Sequence, residues 1–110
     1  MEAPDVNNLL PRLQRWYYSQ CDGDWEHSWG VKIATLDNPG WSLEVDLQDT
    51  ELQDRPFAPI ERGVENSDVN PDWLTCFVKD GRFKGRGGPN TLADLIATFL
   101  NWAEREQGGG

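Results

Sequence analysis

One histidine and two cysteines in 110 residues leave little material for a transition-metal centre or a disulfide framework. His27 stands alone, so no histidine pair at metal-ligand spacing exists, and no cofactor is expected. Cys21 and Cys76 lie far apart, a separation that neither supports nor excludes a bridge. Basic residues are scarce too: ten Lys and Arg face nineteen Asp and Glu, a net charge of −9. Direct nucleic-acid binding is disfavoured by that balance, because phosphate contacts need cations at the interface. No apolar run approaches membrane-spanning length, and the amino terminus lacks a basic–apolar–small leader pattern. Both absences point to a cytoplasmic protein with reduced thiols and no membrane contact.

Aromatic bulk is plentiful by contrast. Six tryptophans, four phenylalanines and two tyrosines supply a core for a chain that is only 37% hydrophobic. Length and the lack of any linker or repeat predict a single domain over residues 1–110, with 1–6 and 107–110 frayed.

The first periodic stretch is NNLLPRLQRWYYSQCDG. Leu9, Leu13, Trp16, Tyr17 and Gln20 recur at helical spacing, which predicts a helix over about 8–20, capped by Asn7 or Asn8 and stopped near Gly23. Pro11 falls in the opening turn, where a missing N–H is tolerated. Trp29, Val31 and Ile33, and then Trp41, Leu43, Val45 and Leu47, alternate with small or polar residues on either side of Asp37-Asn38-Pro39-Gly40. That pattern predicts an antiparallel hairpin. A short edge strand is expected within Ala58 to Glu65, since Pro59 cannot donate to a ladder. WLTCFVKDGRFKG predicts a second hairpin turning at Asp80-Gly81. Leu92, Leu95, Ile96, Phe99 and Ala103 predict a closing helix, with Thr91 and Asp94 as a capping box. The fold class is therefore α+β: an antiparallel sheet of four to five strands with an N-terminal and a C-terminal helix packed on one face.

Candidate chemistry is thin. A nucleophilic cysteine needs a cation, a histidine or a helix amino terminus nearby. Cys21 instead precedes Asp22 and Asp24 at a helix carboxyl end, and a small sulfurtransferase using it is the alternative reading. If a strand begins at Trp25, His27 is wedged between Trp25 and Trp29. KGRGGPNT, Lys84 to Thr91, offers glycines, cations and a helix start to an anion, although a simple turn into the helix explains the same glycines. The charge distribution is more distinctive. From Asp22 to Asp80 fourteen acids face Lys32, Arg55, Arg62 and Lys79, whereas Gly81 to Asn90 reverses sign through Arg82, Lys84 and Arg86. Glu44 and Asp46 share one face of the second strand, with Asp49 and Glu51 just beyond. Co-facial acids repel, and an acidic surface suits a basic partner.

Taken together, Trp16-Tyr17, Cys21-Asp22-Gly23-Asp24-Trp25-Glu26-His27, Thr35-Leu36-Asp37-Asn38-Pro39-Gly40-Trp41, Asp46-Leu47, Thr50-Glu51-Leu52, Pro56-Phe57, Gly85 to Pro89 and Trp102-Ala103-Glu104 resemble the immunity protein 53 family of bacterial polymorphic toxin systems. The likeness spans nearly the whole chain and is weakest over Arg62 to Asp72. It implies a cytoplasmic α+β protein that binds and neutralises a cognate toxin, and it lends no catalytic residues; the leading expectation is therefore a non-enzymatic inhibitor. The surface expected to meet a basic toxin comprises Asp22, Asp24, Glu26, Glu44, Asp46, Asp49 and Glu51, together with Trp25, whose burial the sequence leaves open and which serves as an aromatic anchor if partly exposed.

Overall fold

Helix α1, Leu9–Gln20, turns Leu9, Leu13 and Trp16 inward and leaves Leu10 and Tyr18 exposed, as three-and-four spacing requires. It belongs to a computed structural model that describes residues 8–105; Asn7 and the termini expected to fray lie outside that range. Asn8 holds the cap position without a side-chain cap bond. The helix gives way at Cys21, which is already extended, and Gly23 takes a positive φ of 95°.

The Gly23 stop does not feed a strand. Trp25–Ser28 forms one helical turn, α2, and the strand expected around Trp29 begins at Val31. Asp22 and Glu26 cause this: their carboxylates collect the free N–H groups of the segment and hold it in a turn. His27 is consequently exposed, not wedged between tryptophans.

Five strands follow: β1 Val31–Leu36, β2 Gly40–Asp46, β3 Ile60–Arg62, β4 Leu74–Lys79 and β5 Arg82–Gly87. They form one antiparallel sheet in the order β1-β2-β5-β4-β3. Both hairpins turn where the sequence directs. Asp80 and Gly81 have φ of 56° and 75°, the left-handed pair that a two-residue turn demands. Helix α3, Leu92–Ala103, packs over β2, β5 and β4. Against its flank lies α1, tied by the Arg12–Glu104 ion pair at 2.7 Å. Edge-to-face rings run through the core from Trp25 to Trp16, Phe99, Phe83 and Phe57, ending on Trp102.

The glycine-rich stretch before α3 serves packing. A Cβ on Gly85 would meet Leu95 Cδ2 at 2.9 Å, and one on Gly87 would collide with the Thr91 hydroxyl and approach Trp73 O to 2.8 Å. These glycines let the helix approach the sheet. The capping box does not form: Thr91, fully buried, donates its hydroxyl to Gly88 O at 2.8 Å, and Asp94 pairs with Arg62 at 3.0 Å. At the other end, Arg55 donates to the carbonyls of Trp102, Ala103 and Arg105, satisfying acceptors that a helix terminus leaves open. Among the described residues no helix is long and apolar enough to cross a membrane.

Candidate functional site

The eight residues singled out from sequence fall into two groups in space. Glu44 and Asp46 lie on the uncovered face of the sheet. Asp22, Asp24, Glu26, Asp49 and Glu51 gather at one end of the molecule, where two loops are held together by buried tryptophans.

That end is built from α1 outward. Trp16 Nε1 and Gln20 Nε2 donate to the two carboxylate oxygens of Glu51, at 3.1 and 3.2 Å. Trp25 Nε1 donates to Gln48 O at 2.9 Å. These bonds clamp the segment after β2 onto the connection between α1 and α2. Leu52, fully buried, plugs the segment into the core, while Asp49 takes a φ of 63° with its N–H on Gln53 Oε1. The Asp80-Gly81 turn joins the same end, since Leu47 N–H donates to Gly81 O at 2.9 Å.

Across the gap, Asp22 Oδ1 accepts from the N–H groups of Trp25 and Asp24. Those bonds, Trp25 first, hold its carboxyl below the usual carboxylate range. Glu26 accepts from Asp22 and Gly23 N–H through its two oxygens. Asp24 and Asp49 are exposed. Among the described residues none of these five carboxylates pairs with a cation. Asp22, Glu26 and Glu51 accept only from neutral N–H groups, and the Asp24 and Asp49 side chains make no hydrogen bond among the described residues, so the negative charge stays uncompensated.

Trp25 is 3% exposed. Its rings stand edge-to-face with Trp16 and Tyr17, each at 6.0 Å. The expected aromatic anchor is therefore a core residue that assembles the carboxylate end from within. Tyr17, 39% exposed, is the aromatic ring that reaches the surface beside it.

The face of β2 differs from the wet acidic surface its sequence describes. Register places Glu44 between Lys32 of β1 and Lys84 of β5, and Asp46 beside Arg82. Asp46 binds Arg82 at 2.7 Å and also accepts from Gly30 N–H at 3.0 Å; Arg86 lies 3.9 Å from Glu44. Lys32, Lys79, Arg82, Lys84 and Arg86 share this face with Glu44, Asp46 and Glu61, so the cations outnumber the acids. Those basic neighbours were missed because β2 pairs with β5, a partner distant in sequence, and strand alternation alone does not reveal which strands are adjacent.

Cys21 and Cys76 are both free thiols. Cys21 is half-buried and directs Sγ to Tyr17 O at 3.4 Å. Among the described residues, the nearby N–H groups of Asp22, Gly23, Asp24 and Trp25 donate to the carboxylates of Glu26 and Asp22 and not to this thiol. Cys76 is fully buried, and desolvation pushes its pKa up to about 12.

Comparison with known proteins identifies a family. The model of the family described as immunity protein 53 matches residues 10–104. No curated protein and no solved structure matches the chain. With the match covering far more than half of its length, the chain belongs to the immunity protein 53 family.

Proposed function

We propose that this protein is a cytoplasmic, non-enzymatic inhibitor that binds a cognate toxin of a polymorphic toxin system and neutralises it through the carboxylate-rich end. Membership of an immunity protein family supports a protein partner. The single observation that carries the choice of surface is the contrast between the two sets of acids. Glu44 and Asp46 have arginine partners. Asp22, Asp24, Glu26, Asp49 and Glu51 have none among the described residues. Uncompensated like charges at close quarters oppose folding slightly, but they steer a positively charged partner and fix its register. A toxin acting on nucleic acid has a basic cleft, and carboxylates there occupy the places of phosphates. Glu44 and Asp46 flank this contact and contribute less to it.

Asp24 and Asp49 provide the cleanest test, because their side chains make no hydrogen bond among the described residues. The probe is a candidate toxin domain sought in the reading frames that neighbour this gene. Asp24→Lys combined with Asp49→Asn, a residue that tolerates the positive φ, is expected to slow association about tenfold at low salt. The deficit shrinks as salt rises, and thermal stability changes little. Affinity equal to wild type at both low and moderate salt rejects this surface.

A further inference from the structure

The two edges of the sheet are built differently. β3 is three residues long, follows Pro59 and runs into Gly63 at a φ of 65°, so it offers little for another strand to pair with. β1 spans six residues in unbroken register with β2 and contains neither proline nor bulge. Among the described residues nothing pairs with its outer side.

The phase of the ladder shows which groups face out. Asp46 N–H donates to Gly30 O at 3.0 Å, which makes that pair a hydrogen-bonded one. Alternation then turns the backbone groups of Lys32, Ala34 and Leu36 toward β2, and those of Val31, Ile33 and Thr35 outward. The side chains of these three lie on the helix side of the sheet, yet α3 sits over β2, β5 and β4. Ile33 is left 41% exposed. An outer row of unpaired N–H and C=O groups beside a bare isoleucine is a template for strand addition.

Charge selects the occupant. Asp22, Asp24 and Glu26 precede the strand and Asp37 follows it, with Lys32 the one cation between Asp22 and Asp37. A second copy of the chain would set net charge −9 against −9 and is repelled. We propose that β1 receives an extended cationic segment of the toxin as a sixth strand. Backbone bonds at Val31, Ile33 and Thr35 hold it, an apolar side chain covers Ile33, and its Lys or Arg residues reach the carboxylate end, to which β1 connects through Trp29 and Gly30. This inference rests on the toxin-binding reading and specifies how the toxin is held.

Proline at an outward position tests it, because the N–H groups of Ile33 and Thr35 make no bond within the sheet. Ile33→Pro and Thr35→Pro therefore remove no ladder bond while denying one to an added strand. With the same toxin domain as probe, each is expected to weaken binding tenfold or more while still melting cooperatively. In the unmodified protein, the amides of Val31, Ile33 and Thr35 exchange rapidly when free and become protected in the complex. Wild-type affinity in a folded proline variant, or unchanged exchange at those amides, overturns the edge inference and leaves toxin binding standing. Should a proline variant not fold, the exchange comparison decides alone. Absence of binding by the unmodified chain overturns the toxin reading and this occupant with it. A dimeric mass together with protected edge amides in the isolated protein assigns the edge to a second copy and overturns the proposal.

Discussion

Replacing Trp25 with phenylalanine separates a core residue from an interface anchor. The indole is 3% exposed, donates Nε1–H to Gln48 O at 2.9 Å and packs edge-to-face on Trp16. Phenylalanine keeps most of the ring contact but loses the hydrogen bond and leaves a carbonyl of the 47–53 segment without that donor. The lost bond costs about 1–2 kcal/mol, and the smaller ring adds about 1 kcal/mol through lost burial and a residual void. A total of roughly 2–3 kcal/mol is a large share of the stability of a domain this size, and it lowers Tm by roughly 10–15 °C. Urea unfolding followed by tryptophan fluorescence and far-UV circular dichroism reads the loss. Toxin affinity, measured well below the shifted Tm, should fall only as far as the loosened carboxylate end allows. An unfolding free energy within 0.5 kcal/mol of wild type, a threshold of roughly the size seen for neutral surface changes, would refute the reasoning if accompanied by lost toxin binding. Trp25 would then act at the surface and not beneath it.

Three further outcomes follow from the packing and the charge map. Gly87→Ala forces a methyl group into the Thr91 hydroxyl and toward Trp73 O, so it should destabilise by about 1–3 kcal/mol in denaturant titration, with Gly30→Ala, which meets nothing within 4 Å, as the mild control. Asp46→Lys sets a cation beside Arg82 and strips Gly30 N–H of its acceptor; a loss of about 2 kcal/mol is expected, in contrast to the near-neutral Asp24 and Asp49 substitutions. At pH 8 a thiol reagent should modify Cys21 in the native protein, whereas Cys76, buried and with its pKa near 12, should react only after unfolding, which mass spectrometry of the labelled peptides can establish.

Much of the architecture was legible in residue order. The period-two runs around Asp37 to Gly40 and around Asp80-Gly81 located both hairpins, because alternation and turn chemistry are local properties. The stripe from Leu95 to Ala103 located α3 for the same reason. Where local signals competed, the reading failed: Trp25 to Trp29 alternates like a strand, but Asp22 and Glu26 capture the backbone N–H groups and turn it into α2. Thr91 and Asp94 have capping-box spacing, yet Gly88 O and Arg62 claim their side chains.

For the candidate site the division is sharper. Residue order alone determined the net charge of −9, the acid-rich stretches and the aromatic supply of the core, since these are sums over composition and short windows. Only the tertiary structure decided which acids remain uncompensated. Pairing β2 with β5 brings Arg82 and Arg86 onto Asp46 and Glu44, while the Trp16, Gln20 and Trp25 bonds gather two distant acidic loops at one end. Coulombic compensation is strongest at contact and is screened beyond roughly 10 Å, so it depends on neighbours in space that lie dozens of residues away along the chain.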